Sequence, residues 1–354
     1  MAVSLLLTFF TLFLFLLLIL SHEFGHFIMA KKFNVKVNEF SVGMGPILFS
    51  KRKGETLYCL RLLPFGGYCS MEGENFSEDF SSRSLVNLPK LKQVLVIIAG
   101  AFSNLIVALF FIFINLSQQS SFSSNVIANF YENSVTKEQG LKINDKIISI
   151  NSYKINNFTD LSFSLAINNP EKLDIVVERN NKKIILKDLR LKTQEDPSKK
   201  KIFLVRDFFL KPVEKNFFSL ITNSFGEMIS KIRITLKSVS LLITGKLDIS
   251  NVSGPIGIVN NVKEIASYSL KTSFWHAANN VILMMAIVSI NLGILNLLPI
   301  PALDGSRILF FLIECIIGKK IGPKIQENVN KIAFIALIIF TLFVTFKDIQ
   351  KIIT

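Results

Sequence analysis

Histidine and cysteine are both scarce in this chain, three of each among 354 residues, beside a single tryptophan. Cys59, Cys69 and Cys315 form no Cys-x-x-Cys pair and leave one thiol over, which argues against a disulfide framework and against a thiolate zinc site. Charge is missing altogether from residues 2–20, AVSLLLTFFTLFLFLLLIL. At about 1.5 Å per residue that run reaches roughly 28 Å, enough to cross a hydrocarbon core. No basic n-region precedes it and no small-residue cleavage site follows, so a retained span is expected rather than a cleaved leader. Also lacking is any basic motif interleaved with base-stacking aromatics. The net charge of +14 is therefore assigned to lysines at membrane edges, and no nucleic-acid partner is expected. With 50% hydrophobic residues and a mean hydropathy of +0.46, the composition fits several membrane spans plus one soluble module.

The apolar run ends in Ser21-His22-Glu23-Phe24-Gly25-His26. Ionisable groups at membrane depth are costly, so they mark a functional site. On a continuing helix His22 and His26 lie one turn apart on one face, and both imidazoles can reach a single metal. Glu23 flanks that face, placed to touch a water rather than to ligate. This His-Glu-x-x-His arrangement is the zinc-binding pattern with glutamate as general base. Two histidines at this spacing around a glutamate, when the chain has only three, argue against a chance match.

Residues 37–63 alternate in the manner of strands, and a hairpin is expected with Gly54 in its turn. Gly43-Met44-Gly45-Pro46 reads as a break before it, and Pro64-Phe65-Gly66-Gly67-Tyr68 as a second turn-rich stretch. Residues 94–114 form a second apolar run, where Gly100, Ser103 and Asn104 suggest close packing against the first span. A soluble region follows. Residues 139–150, QGLKINDKIISI, lead to a helical pattern near 159–166 and to strands KLDIVVERN and KKIILKDL joined across Asn180-Asn181. This resembles a PDZ domain, a module that binds peptides by strand addition. A charged linker is expected at 195–201, and at 217–243 an amphipathic helix lying on the bilayer surface. Trp275 suits a membrane interface, and His276 reads as a surface residue.

The third apolar run, 281–298, ends in Asn296-Leu-Leu-Pro299-Ile-Pro301-Ala-Leu-Asp304-Gly305. Its prolines and glycine break a helix at depth, where free backbone groups are tolerated only beside protein or water. A two-histidine zinc site needs a third protein ligand, and Asp304 is the best-placed carboxylate, with a helix cap as its alternative role. An interfacial helix is expected at 308–317 and a short fourth span at 333–346. Lys31, Lys32, Lys36, Arg83, Lys90, Lys92, Lys319, Lys320, Lys324 and Lys331 lie at span ends that face one side. No Lys or Arg occurs from Asn115 to Thr136 or before the first span. The positive-inside rule then places both termini and the PDZ-like region outside the cytoplasm, with the zinc motif toward the cytoplasmic side.

Taken together, HEFGH, Gly43-Met44-Gly45-Pro46, RLLPFGGY, the PDZ signature, Ser253-Gly254-Pro255-Ile256-Gly257 and NLLPIPALDG extend over nearly the whole chain. The chain resembles the site-2 proteases, intramembrane zinc metalloproteases, of the bacterial regulator-of-sigma-E protease type. That resemblance implies zinc held by His22, His26 and Asp304, with Glu23 activating water. It implies substrate held by Asn296, Pro299 and Pro301, and extends that role to Gly43 and Gly45. The implied substrates are transmembrane segments, such as a trimmed anti-sigma factor or remnant signal peptides, with peptide ends taken by the PDZ-like domain. The implied location is a bacterial inner membrane. Gly100-Ala101 replaces a common Gly-Pro, Ser306 replaces a common glycine, and there is room for one PDZ domain where the best-known relatives have two.

The expected fold is a polytopic α-helical membrane protein of about four spans, with a cytoplasmic-side β-hairpin and one extracytoplasmic PDZ-like α/β domain. The first span and its motif occupy 1–36, the hairpin region 37–90 and the second span 91–115. The PDZ-like domain takes 116–200, and an amphipathic helix with linker takes 201–279. The third span covers 280–305, an interfacial helix and loop 306–330, and the fourth span with tail 331–354. The alternative function is a membrane-anchored zinc protease acting on soluble or misfolded proteins, with Glu39 or Glu72 as third ligand. A non-enzymatic scaffold is disfavoured, because His22, Glu23, His26 and Asp304 are all present.

Overall fold

A computed structural model of the protein describes residues 2–73, 81–168, 172–196, 201–247, 254–319 and 321–353. Ser253, Lys320 and residues 197–200 of the expected linker lie outside them. In chain order come α1 (Ala2–Lys32), β1 (Val37–Lys53), β2 (Thr56–Met71), α2 (Lys90–Ser117), β3 (Ser121–Phe130) and α3 (Val135–Glu138). Then follow β4 (Lys146–Ile150), β5 (Tyr153–Lys154), α4 (Phe158–Ile167), β6 (Leu173–Arg179), β7 (Lys182–Leu189), β8 (Lys192–Asp196) and β9 (Lys201–Val205). The chain continues with β10 (Phe208–Glu214), α5 (Phe217–Ile243), α6 (Pro255–Leu270), α7 (Phe274–Leu297), α8 (Gly305–Ile317) and α9 (Pro323–Ile353). They divide into two compact units, Met1–Phe111 with Ser238–Thr354, and Ile112–Lys237.

In the first unit α1 runs unbroken through the histidine motif and beyond it. It stops where Asn34 takes φ +59° and the Val35 amide bonds back to the Ala30 carbonyl at 2.8 Å, a left-handed cap closing the last turn. Four helices are long and apolar enough to cross a membrane among the described residues: Leu5–Lys32, Lys90–Ser117, Phe274–Leu297 and Lys324–Lys351. The last is twice the length expected of it, because its helix starts at Pro323 and carries Lys324 and Lys331 into its first turns.

The hairpin departs from expectation in an informative way. Gly43-Met44-Gly45-Pro46 and Pro64-Phe65-Gly66-Gly67-Tyr68 are not breaks outside strands but irregularities inside β1 and β2. The pairing folds back on itself: Glu39–Val42 lies between Leu57–Leu60 on one side and Gly67–Ser70 on the other, and residues 47–53 pair with 56–61. Gly43, Gly45 and Gly66 adopt φ of +84°, +84° and +90° at the register shifts. Such conformations suit glycine, which lets a strand bulge and re-aim without leaving the sheet. The turn end is tied down by Glu55, which accepts from Lys31 at 2.7 Å and from Arg83 at 2.6 and 2.9 Å. Glu72 pairs with Lys36 at 2.8 Å, and hydrogen bonds from Lys36 and then Ser81 hold its carboxyl down at about 2.

The second unit is an α/β module. Its main sheet has the order β10-β3-β4-β6-β7, with β5 beside β4, over a core that includes Ile127, Ile147, Leu161, Ile175, Val177 and Phe208. The expected helix and strand pair are present as α4, β6 and β7. Asn180 and Asn181, at φ +51° and +60°, form the two-residue turn whose twist suits a hairpin. Residues expected as a linker instead pair as β8 with β9, and β10 joins β3, so the sheet includes a strand beyond the expected boundary at 200. The β8–β9 pair is local, with Asp196 opposite Lys201, whereas β10 reaches back to β3. Asp145, fully buried, meets Arg179 through two bonds of 2.7 Å. On α5 the charged residues turn inward: Glu227 accepts from Thr159 at 2.7 Å, and Arg233 reaches Asp160 at 3.2 Å and the Lys154 carbonyl at 2.7 Å. Phe218, Phe225 and Ile229 of the same helix stay exposed.

Arg179→Leu would leave the Asp145 carboxylate buried and unpaired, a loss of about 3–5 kcal/mol. The expected result is faster amide exchange across β4 and β6 in the full-length protein, with exchange in α1 unchanged.

Candidate metal centre

His22 and His26 come from one helix face, and both are buried. Asp304 comes from the turn between α7 and α8. It stands at the cap position of α8, yet its side chain makes no capping bond and points instead to the histidines. His22 Nε2 is 2.9 Å from Asp304 Oδ2, His26 Nε2 is 3.2 Å from the same oxygen, and the two Nε2 atoms are 3.3 Å apart. A tetrahedral zinc with bonds of about 2.0–2.1 Å separates its ligand atoms by about 3.3 Å, so this triangle matches one face of such a site. The geometry fits a metal; a lone hydrogen-bonded aspartate would not bring two imidazole nitrogens this close.

The second helix sets the orientation of both rings. His26 Nδ1 donates to the Val96 carbonyl at 2.9 Å, which leaves the Nε2 lone pair facing Asp304. The Asn104 amide lies 3.3 Å from His22 Nδ1 and 2.8 Å from Ser21 Oγ, whose hydroxyl also reaches the Leu18 carbonyl at 2.8 Å. Turned with its oxygen toward His22, that amide accepts from Nδ1 and donates to Ser21, and Ser21 donates to Leu18. Every group is then satisfied and Nε2 of His22 is free to ligate. Close approach depends on two glycines. A Cβ at Gly25 would overlap the Ala99 carbonyl of α2, and a Cβ at Gly100 would overlap His26 Nε2. Ser103 Oγ completes the contact by donating to the Ser21 carbonyl. The small and polar residues of the second apolar run do pack against the first, as expected.

A cavity of about 360 Å³ opens beside the triangle, lined by Glu23, His26, Asp304 and Arg307, by Ile97 of α2, and by Tyr68–Met71 of β2. Within it Glu23 Oε2 accepts from the Cys69 amide at 3.0 Å. The carboxylate is thus held next to the histidines by backbone rather than used as a ligand.

A family model described as peptidase family M50 matches residues 10–340. The chain belongs to that family, the site-2 proteases. Among similar proteins, one of Clostridium perfringens, named as a zinc metalloprotease, is 36% identical over 96% of this chain and 97% of its own length. A Fusobacterium nucleatum protein of the same description is 33% identical over 95% and 96%. The regulator of sigma-W protease RasP of Bacillus subtilis is 27% identical over 94% and 96%. An M50 peptidase with four apolar helices is a polytopic membrane zinc metallopeptidase, and Zn2+ is its expected cofactor.

Other expected residues are distributed unevenly about the M50 centre. Asn296 Nδ2 lies 3.4 Å from His22 Nε2, at the site. Pro299 and Pro301 lie in the turn that carries Asp304, with Pro299 exposed. Gly43 and Gly45 shape the small sheet and do not line the cavity. Glu39 is paired with Arg61 and Glu72 with Lys36, so neither carboxylate joins the histidines. His276 is exposed at the start of α7. Sequence reasoning missed Arg307, the Val96 carbonyl and the Tyr68–Met71 wall. The available signal for the last is RLLPFGGY, a motif of the family resemblance whose Pro64–Tyr68 part reads as turn-rich and whose final residue begins that wall.

Gly100→Ala and Asn104→Ala each disturb one imidazole without removing a ligand. Each should lower zinc affinity by roughly 10–100-fold, measured as metal retained by purified protein against a chelator series.

Proposed function

We propose that the chain is an intramembrane zinc endopeptidase that cleaves transmembrane segments of other membrane proteins. The observation that carries this reading is the meeting of His22, His26 and Asp304, with Glu23 beside them, at the end of an apolar helix and a broken one. Held there, zinc supplies Lewis acidity and a water acidic enough to be a nucleophile near neutral pH. Glu23 takes the proton of the attacking water and later delivers it to the leaving amide nitrogen. Its bond from the Cys69 amide keeps the carboxylate aimed during both transfers.

A helical substrate shields its amides, so it must be extended first. The stretch Tyr68–Met71 supports this step, since it is a sheet-edge segment that borders the cavity beside Glu23. Asn296, beside His22, and the turn through Pro299 and Pro301 that carries Asp304 would hold the substrate as well.

In this reading the second unit is a PDZ-like filter outside the cytoplasm, taking peptide ends, and α5 lies on the bilayer with Phe218, Phe225 and Ile229 toward lipid. The protein resides in a bacterial inner membrane, with both termini on the outer side and basic span ends in the cytoplasm. Substrates include anti-sigma factors and remnant signal peptides.

Glu23→Gln should retain zinc and lose cleavage of a transmembrane peptide, whereas Asp304→Ala should lose zinc as well. Full zinc in Asp304→Ala would overturn the ligand set. Ser70→Pro removes an amide that faces Glu39 of β1 and so misshapes the edge; it should slow cleavage with zinc intact, and unchanged cleavage would exclude this edge as the substrate seat.

A further inference from the structure

Arg61 lies in β2, within the small sheet and outside the cavity, with its side chain only 17% exposed. Its guanidinium makes four directed contacts. Nε donates to Ser41 Oγ at 3.0 Å, Nη1 to the Gly45 carbonyl at 2.7 Å, and Nη2 to Glu39 Oε1 and Tyr68 OH, each at 2.7 Å. The guanidinium carbon is also 5.4 Å from the centroid of the Tyr68 ring. These partners belong to three separate pieces of backbone: the interior stretch with Glu39 and Ser41, the glycine-rich irregularity at Gly43–Gly45, and the edge at Tyr68.

A planar group with five fixed donors can join three backbones at once, while an ammonium on a flexible stem cannot reproduce that fork. The ion pair with Glu39 is sheltered, so its desolvation offsets much of its attraction and its net stabilisation is small. What it supplies is geometry. The edge it holds is the one that lines the cavity, and the next residue, Cys69, donates its amide to Glu23. Because side chains alternate along a strand, fixing Tyr68 also fixes the direction of Ser70 on the same face.

We infer that Arg61, paired with Glu39, is a positioning residue for the substrate-facing strand Tyr68–Met71, setting the distance between that strand and the Glu23 carboxylate. This inference rests on the proposed use of that edge by substrate. It also gives the two glycine-rich motifs a common purpose, since the bulge at Gly45 presents its carbonyl to Arg61 while the strand after Gly66 presents the Tyr68 hydroxyl.

The test uses full-length protein in detergent, comparing wild type with Arg61→Lys and Tyr68→Phe. Zinc content and melting midpoint should match wild type, while KM for a transmembrane peptide rises roughly tenfold in Arg61→Lys, the loss of charge-assisted bonds to the strand. Tyr68→Phe should shift KM the same way by a smaller factor. An unchanged KM, or a loss of activity that merely follows lost zinc or lowered melting, overturns the inference. Amide exchange at Cys69 reads the same coupling without substrate. It should quicken in Arg61→Lys, and unchanged exchange overturns the inference even where wild type cleaves. Faster exchange with no cleavage by wild type would instead sink the proposed activity and leave this coupling standing.

Discussion

Two imidazoles and a carboxylate converging on one point inside apolar surroundings is the constraint to which the first unit answers. Each group is costly to bury unless it is paired or ligating, so its neighbours are arranged to satisfy every remaining donor and acceptor. His26 is aimed by the Val96 carbonyl, His22 by Asn104, and Glu23 by the Cys69 amide. The first two act at hydrogen-bond distance only because of the close approach of α1 and α2. Glycine supplies it at Gly25 and Gly100, and again at Gly293, where a Cβ would press on the Ala101 carbonyl. Between segments in lipid, where apolar burial provides little drive, such backbone proximity and a few polar bonds are what hold helices together. Ser289 donating to the Asn104 carbonyl at 2.8 Å is one more of them.

The small sheet solves a second problem beside the same site. One stretch at the sheet's edge, Tyr68–Met71, meets the cavity, and its Cys69 amide is engaged by Glu23. Exposed Ile47, Leu48 and Phe49 sit farther out on the hairpin, a surface suited to apolar surroundings. Glycines at positive φ let the strands fold back, and Arg61 stitches the folded layers. The pattern joins a flexible backbone choice with a rigid polar clamp, so that the edge is shaped without being loose.

Most of the candidate site was legible in the chain because its spacing is local. His22, Glu23 and His26 fall within five positions of one helix, and helical periodicity alone puts the histidines on one face. The second unit was also partly legible, since Asn180-Asn181 marks its own turn and residues 159–166 carry a helical pattern that α4 bears out, its start capped by Asn157. Less could be seen where pairing is long-range. Gly43–Pro46 and Pro64–Tyr68 carry turn signals, yet each sits inside a strand, because glycine marks both a turn and a bulge. The strands β8 and β9, which pair with each other, have no clean alternation, and β10 is defined by a partner far away, β3.

By itself the sequence determined the apolar spans, the zinc-type helical motif, the need for a third ligand after the broken third run, and the small-residue contact between the first two. Those are properties of periodicity, composition and cost of burial, which short windows carry. Tertiary structure alone decided that Asp304 meets both histidines rather than capping its helix, and that Asn104 and Val96 set the ring orientations. It alone turned the edge Tyr68–Met71 toward Glu23. Each of those depends on groups tens to hundreds of positions apart coming within about 3 Å, the reach of a hydrogen bond, and no local pattern encodes that distance.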